Sequence, residues 1–169
     1  DLSREIEPMP MSWEKVICRR AALELKTGMV VNLGVGVPTG VAQVAFEEGW
    51  LESLVLNTEV GVLGGLPQGG KNFGPAKNPS AFISQTAMFD FYDGGGLDAT
   101  FVGMAQVDAE GNVNVSKLGP VAIGCGGFIN ITQNAKKVTF CGEFRAKGTK
   151  VAISENGLRI EQEGAVAKF

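Results

Sequence analysis

The segment Met29-Val30-Val31-Asn32-Leu33-Gly34-Val35-Gly36-Val37-Pro38 joins a short apolar run to a glycine-containing turn. The apolar run predicts a buried β-strand, and the glycines that follow predict a tight loop. Pro38 suits the first turn of a helix that extends to about Glu48. A second apolar run at Leu54–Leu56 predicts a second buried strand. Strand, glycine loop, helix and strand form a βαβ unit, so we expect a parallel sheet.

The rest of the chain predicts further elements around this unit. Ser12 is the candidate N-cap of a helix that reaches about Thr27 and ends at Gly28. Further strands are predicted at Thr100–Val107, Asn112–Val115 and Lys137–Cys141, and a hairpin is predicted from Lys150–Ser154 and Leu158–Gln162 around Asn156-Gly157. Residues 1–10 and 61–79 are predicted to be irregular, as is the turn 93–96 after the apolar stretch 89–92. We therefore predict one α/β domain over residues 1–169, with a Rossmann-like, open, mainly parallel sheet and an appended β-hairpin.

Composition excludes several classes of function. Hydrophobic residues make up 44% of the 169 residues and charged residues 20%, which is typical of a soluble globular domain. The net charge of −3 argues against nucleic acid as a partner. No apolar run approaches the ~20 residues that span a membrane. Three widely spaced cysteines predict a reduced, cytoplasmic protein. Because the chain has no histidine, it cannot build Ser-His or Cys-His catalysis or a histidine-ligated zinc site.

Glu59 is the candidate catalytic residue. It lies in Asn57-Thr58-Glu59-Val60-Gly61-Val62-Leu63-Gly64-Gly65, where a buried strand gives way to a glycine-rich loop. A carboxylate at such a point is held rigidly, while its small neighbours leave room for a ligand. This arrangement suits a carboxylate that acts as a nucleophile, and a solvated loop acid is the alternative.

Nucleotide binding is the alternative function. Gly34-x-Gly36-x-x-x-Gly40 resembles the dinucleotide fingerprint but is one residue too long. Glu59 also falls where a ribose-binding acid would follow the second strand. A non-enzymatic, NAD-type domain ranks second, because a ribose-binding acid needs no glycine loop after it.

Three other signals are interpreted as structural. Gly65–Asn72 approaches a phosphate-binding P-loop, but Asn72 stands where a Ser or Thr belongs. Asp90, Asp93 and Asp98 follow no metal-loop spacing, so no metal site is predicted, and turn formation explains Asp93. Cys125 is expected to be a buried small hydrophobic residue.

Several motifs, taken together and in order, resemble family I coenzyme A transferases. They are Asn32-Leu33-Gly34-Val35-Gly36-Val37-Pro38, Thr58-Glu59-Val60-Gly61-Val62-Leu63-Gly64-Gly65, Phe89-Asp90-Phe91-Tyr92-Asp93-Gly94-Gly95-Gly96-Leu97-Asp98, Gly111-Asn112-Val113-Asn114-Val115-Ser116 and Gly124-Cys125-Gly126-Gly127-Phe128-Ile129-Asn130-Ile131-Thr132-Gln133-Asn134. The resemblance covers nearly the whole chain. Single-chain enzymes that act on short-chain acyl groups, the propionate and acetate CoA-transferases, are the most similar members.

The resemblance implies a ping-pong transfer of coenzyme A from an acyl-CoA to a small carboxylate. In this family a glutamate of the β-type domain forms a glutamyl-CoA thioester, and Glu59 matches that glutamate. Gly34 and Gly36 match one region whose backbone borders the CoA thioester, and Gly126 and Gly127 match another. These glycines are therefore the candidate CoA-binding and oxyanion residues. No cofactor is implied, since the coenzyme A thioester is a substrate.

The resemblance also implies partners. Family enzymes pair an α-type domain with a β-type one, so we expect an α-type domain or subunit and a homo-oligomer. Only the β-type part is recognised here, and it is expected to be incomplete, because Phe169 falls within a strand-like pattern.

A second glutamate competes for the role of nucleophile. Two-subunit members carry their nucleophile in a Ser-Glu-Asn-Gly motif, and Ser154-Glu155-Asn156-Gly157 has those letters. Because this motif lies within the predicted hairpin and precedes charged residues, Glu155 is interpreted as a turn residue.

Overall fold

The computed structural model describes residues 6–169. Its α-helices are α1 (Trp13–Ala22), α2 (Gly40–Glu47), α3 (Gln85–Asp93) and α4 (Phe128–Gln133). Its longer strands are β1 (Val30–Leu33), β2 (Val55–Thr58), β7 (Ala99–Val102), β12 (Val138–Phe140), β14 (Lys150–Ser154) and β15 (Gly157–Gln162). Two-residue strands fill the intervals: β3 (Val62–Leu63), β4 (Leu66–Pro67), β5 (Ala76–Lys77), β6 (Ala81–Phe82), β8 (Gln106–Val107), β9 (Val113–Asn114), β10 (Lys117–Leu118), β11 (Val121–Ala122), β13 (Arg145–Ala146) and β16 (Val166–Ala167).

The main sheet has six strands in the order β12-β7-β1-β2-β3-β6. The first four strands of this order are parallel, and β3 and β6 add to the edge in antiparallel orientation. The predicted βαβ unit is β1, α2 and β2. The α/β class and the mainly parallel sheet are therefore confirmed.

Helices cover both faces of the sheet. On one face, α1 and α2 bury residues such as Cys18 and Val44 against Leu33 and Phe101 of the strands. On the other face, α3 and α4 bury residues such as Met88, Tyr92 and Ile131 against Val102 of β7. Because β1 leads into α2 and β7 leads toward α4, the chain leaves these adjacent strands toward opposite faces. The carboxyl ends of such strands border a crevice, which is where open α/β sheets bind ligands.

Several predicted elements agree with the structure. The hairpin is confirmed, with Ile153 paired to Leu158 and Ser154 to Gly157. The second helix is confirmed to within a residue or two, beginning with a 3-10 turn at Val37–Thr39 and continuing as α2. Residues 6–10 are irregular as predicted, whereas residues 1–5 lie outside the described part of the chain. The P-loop-like segment contains β4 and a 3-10 turn at Gly70–Asn72, and no α-helix follows it directly.

Other predictions were wrong in extent. The first helix ends at Ala22 rather than near Thr27, because the N–H groups of Glu24 and Leu25 bond back three residues and turn the chain. The predicted strand Thr100–Val107 is interrupted between β7 and β8. The helices α3 and α4 were not predicted. Among residues 6–169, no helix is long and apolar enough to cross a membrane.

Candidate active site

A large open cavity lies at the carboxyl edge of the parallel strands. Its volume is about 1100 Å³, somewhat above the size typical of small-ligand sites. The loops after β1, β2 and β7 contribute Gly34, Val35, Glu59, Gly103 and Met104 to its lining. The segment before α4 contributes Cys125, Gly126 and Gly127. The cavity therefore coincides with the crevice that the strand topology creates.

Glu59 is half-buried in the wall of this cavity, directly after β2 ends at Thr58. Burial raises the pKa of its carboxyl group, because the charged form loses hydration. The backbone N–H of Glu59 and the side-chain amide of Asn32 lower this pKa and so oppose the rise. The carboxylate is thus partly desolvated beside a space that can hold a ligand, which favours reactivity over solvation.

Gly126 and Gly127 lie on the same cavity wall as Glu59. A Cβ atom built on Gly127 would stand 3.0 Å from Cζ of Phe89 and 3.9 Å from Cγ of Glu59, so any larger residue would crowd Phe89 and contact the Glu59 side chain. Gly126 has a φ of +54°, which glycine adopts without strain. Within residues 6–169, the N–H groups of both glycines donate to no protein acceptor. They can therefore serve a ligand oxygen.

Gly34 and Gly36 differ from these two glycines. The N–H of Gly34 donates to the Phe101 carbonyl at 2.8 Å, so it is not a free oxyanion donor. A Cβ atom on Gly34 would also stand 3.2 Å from that carbonyl oxygen, and glycine is needed for close packing against β7. Gly36 lines a separate depression with Thr39 and Gln68. The structure thus brings Gly34, but not Gly36, to the cavity that contains Glu59.

The remaining acidic candidates have structural partners. Asp93 is the last residue of α3, and the predicted turn follows it at Gly94 and Gly95. Its carboxylate also accepts hydrogen bonds from Asn130 and Gln133 and so ties α3 to α4. The Asp98 carboxylate accepts from the N–H of Val30 and from Lys136. Glu155 is exposed in the turn between β14 and β15, and it does not line the cavity that contains Glu59.

The sequence interpretation missed a group of polar residues beneath Glu59. Asn32, Asn57 and Tyr92 are buried and connected by hydrogen bonds, and Asn32 influences Glu59 directly. The available signal was the presence of amide side chains at the middle of β1 and near the end of β2, in otherwise apolar runs. A polar side chain buried in a core strand needs partners and is a frequent mark of a site.

The raised pKa of Glu59 predicts a pH-dependent stability difference. Because the folded state favours the protonated carboxyl, its stability contribution is full below the unfolded pKa of ~4.3 and is lost as pH rises through the folded pKa. Glu59→Gln, which stays neutral, should therefore melt at a higher temperature than the parent protein at about pH 7 and show little gain below about pH 4. Thermal melts across this range check the result, with exposed Glu155→Gln as the control. A gain that does not vary with pH would contradict this prediction.

Comparison with known proteins identifies the family. No protein-family model matches the chain. The caffeate CoA-transferase of Acetobacterium woodii is 48% identical over 166 residues, which cover 95% of this chain and 32% of that protein. The acetate CoA-transferase subunit beta of Escherichia coli K12 is 36% identical over 155 residues, which cover 85% of this chain and 69% of that subunit. This chain belongs to family I of the coenzyme A transferases. It corresponds to their β-type domain.

A solved structure supports the same assignment. The acyl-CoA transferase YdiF of Escherichia coli O157:H7, determined as a thioester complex with CoA, superimposes with a TM-score of 0.85 at 40% identity. The match covers 97% of this chain and 31% of that one. The chain thus spans about a third of the length of these single-chain relatives. Membership in the CoA-transferase family does not favour the NAD-binding alternative.

Proposed function

We propose that the complete enzyme containing this chain transfers coenzyme A from a short-chain acyl-CoA to a carboxylate acceptor, with Glu59 as the nucleophile. The observation that carries this proposal is the half-buried carboxylate of Glu59 in the wall of the cavity, beside Gly127. Two relatives of this chain are named as a caffeate CoA-transferase and an acetate CoA-transferase subunit. A third, YdiF, was determined as a thioester complex with CoA. These names support the class of reaction and leave the acyl group open.

The proposed chemistry needs only carboxylates and a thiolate. A Glu59 oxygen attacks the acyl carbonyl, an anhydride C–O bond forms, and the C–S bond breaks to release CoA thiolate. The thiolate then attacks the glutamyl carbonyl, which forms a thioester and expels the acyl group as a carboxylate. The acceptor carboxylate attacks this thioester, and the same two steps in reverse produce the new acyl-CoA and free Glu59. No net proton, electron or cofactor is consumed.

Each of these acyl transfers passes through a tetrahedral oxyanion. Gly126 and Gly127 offer N–H groups that have no protein acceptor in the described residues, and both glycines line the cavity together with Glu59. Fixed N–H donors at such a point stabilise the developing charge by ~3 kcal/mol each, by analogy with other acyl-transfer sites. We assign the oxyanion role to these two glycines, whereas Gly34 contributes packing and the wall of the cavity.

The cavity also has features that suit coenzyme A and a second domain. Lys147 and Lys168 lie in its lining and supply positive charge for the phosphates of the ligand. Val35 and Ile123 line it too, and they are 62% and 61% exposed in this chain. Exposed apolar side chains around a binding cavity indicate a surface that another protein segment covers. An α-type domain or subunit is the proposed cover, and a homo-oligomer stays a prediction.

Peptide mass spectrometry tests the proposed nucleophile. The complete enzyme, incubated with acetyl-CoA and quenched in acid, is expected to carry a CoA adduct on the tryptic peptide Thr27–Lys71, because the glutamyl thioester is a covalent intermediate. Fragmentation should assign the adduct to Glu59 rather than to Glu47, Glu48 or Glu52 of the same peptide. The peptide Val151–Arg159, which contains Glu155, is the internal control. An adduct there, or NADH binding without any adduct, would overturn the proposal.

A further inference from the structure

A row of polar side chains crosses the core beneath Glu59. Thr100 of β7, Asn32 of β1 and Asn57 of β2 are partners in the parallel register, so their side chains point to the same face of the sheet. Tyr92 of α3 packs on that face, and all four side chains are 1% exposed or less. Their neighbours, which include Met88, Leu97 and Val102, are apolar. Burying four polar groups among apolar residues is costly, so their arrangement requires an explanation.

The hydrogen bonds in this row have a fixed direction. The Val31 carbonyl can only accept, so it fixes Nδ2 of Asn57, which donates to it at 3.1 Å. Oδ1 of Asn57 is thereby left as an acceptor, and it takes the hydroxyl proton of Tyr92 at 2.7 Å. The oxygen of Tyr92 can then only accept, and Nδ2 of Asn32 donates to it at 3.3 Å. The Val31 carbonyl therefore sets the orientation of the Asn32 amide through two intervening side chains, those of Asn57 and Tyr92.

Two oxygens of the row are left without a partner among the described residues. Oδ1 of Asn32 is buried and accepts no hydrogen bond from any described residue, and Oγ1 of Thr100, at the adjacent register position, is in the same state. An unsatisfied buried acceptor costs free energy. The Asn32 amide would therefore be expected to rotate by half a turn if Oδ1 could find a donor where Nδ2 now lies. On that side it would meet the oxygens of Tyr92 and Asn57, both of which repel it.

Glu59 follows β2 directly and stands two residues after Asn57, at the carboxyl end of the strand that carries this row. The Asn32 amide lowers the pKa of Glu59, although this effect is smaller than that of burial. The charge of Glu59 in turn raises the pKa of Tyr92, after the larger effect of burial on that hydroxyl. The contacts of Asn32 Nδ2 with Asn57 and Tyr92 are long, 3.3 to 3.5 Å, so they leave the amide free to turn one N–H toward a stronger acceptor.

We propose that Asn32 is the positioning residue of the nucleophile: one N–H of its amide donates to the Glu59 carboxylate during attack, and Tyr92 and Asn57 keep that N–H, rather than Oδ1, facing it. The inference rests on the proposed role of Glu59 as nucleophile. Tyr92 does not line the cavity and acts only through Asn32. The unsatisfied Oδ1 is the cost of holding the amide in this orientation.

The pH dependence of the first half-reaction tests this inference. In the complete enzyme, the rate of CoA adduct formation from acetyl-CoA should fall at low pH as Glu59 is protonated. This low-pH fall in rate is the acid limb of the pH profile. Because Tyr92→Phe frees the Asn32 amide to rotate, we expect the acid limb to move to higher pH by roughly half to one pH unit. The rate of adduct formation should fall about tenfold, and KM for acetyl-CoA should stay nearly unchanged. Asn32→Leu, which removes the amide at similar volume, should move the limb at least as far in the same direction. Three other residues with ionisable side chains line the cavity, and none of them is substituted in these variants: Cys125, Lys147 and Lys168.

Thr100→Val is the matched control. It alters the same buried row but removes a hydroxyl that has no partner in the described residues, so neither the acid limb nor the rate should change. If Tyr92→Phe and Asn32→Leu lower the melting temperature and the rate but leave the acid limb in place, their role is structural and the inference is wrong. If the parent enzyme forms no adduct on Glu59, the proposed function itself fails, which distinguishes the two results.

Discussion

Glu59→Gln in the complete enzyme is expected to abolish CoA transfer. The amide retains the shape of the carboxyl but cannot attack an acyl carbonyl, so the covalent route is closed. Removal of the nucleophile in other covalent enzymes costs many orders of magnitude, and we expect a loss of ~10⁴-fold or more in kcat here. Steady-state transfer from acetyl-CoA to a short carboxylate measures this loss. Folding should not confound the result, because removing a half-buried charge is expected to raise stability at neutral pH.

Glu155→Gln is the matched control for this loss. Glu155 has the same side chain and the family-like neighbours Ser154 and Asn156, but it is exposed in the turn of the β14–β15 hairpin. Its replacement should change stability by less than ~0.5 kcal/mol and leave transfer nearly intact. Comparable losses in the two variants would mean that the hairpin takes part in the site, and the choice of Glu59 would then be wrong.

The elements built from local pattern could be predicted from the sequence. The β1–α2–β2 unit follows from two apolar runs, a glycine loop and Pro38 at a helix start, each of which acts over a few residues. The Asn156-Gly157 turn likewise specifies its hairpin locally. These features were sufficient to predict a parallel sheet, with Glu59 after its second strand.

Elements that depend on distant contacts could not be predicted in the same way. The stretch that forms α3 mixes aromatic, acidic and small residues, and its helical spacing shows only in the burial of Met88 and Tyr92. The six residues of α4 include Ile129, Ile131 and Thr132, whose branched side chains disfavour helix, so packing on the sheet must stabilise it. The loop after β7 ends the predicted strand early, because the chain turns there into the cavity wall.

The site shows the same division between local and distant information. Glu59 could be identified because its environment is contiguous in the chain. The polar row below it unites positions 32, 57, 92 and 100, which meet only through the register of three parallel strands and the packing of α3. Likewise, Gly34 has the sequence context of a ligand-binding glycine, yet only the structure shows that its N–H is already bonded to Phe101.

The second large effect is expected at Gly126, with Gly36 as its counterpart. Both glycines have positive φ, +54° and +88°, and a Cβ atom on either would meet no heavy atom within 4 Å. Valine should therefore cause backbone strain at both positions, of order 1–3 kcal/mol at Gly126 and more at Gly36, whose φ of 88° and ψ of −134° suit only glycine. Only Gly126 lies in the cavity with Glu59, so only there should the branched side chain obstruct the thioester or tilt the N–H donor.

Gly126→Val is thus expected to lower kcat about 10²-fold in the folded enzyme, because the lost interaction is made mainly in the transition state. Gly36→Val should lower the melting temperature at least as much as Gly126→Val does, but leave kcat per folded molecule nearly unchanged. Kinetics normalised by active-site titration, together with thermal melts, separate strain from catalysis in each variant. A normal kcat in folded Gly126→Val would mean that this glycine has no oxyanion role. An equal loss of kcat in Gly36→Val would show that the loop after β1 reaches the thioester in the complete enzyme. Because both variants carry backbone strain, and Gly36→Val the larger share, a loss of kcat per folded molecule in Gly126→Val alone isolates the contribution of position within the site.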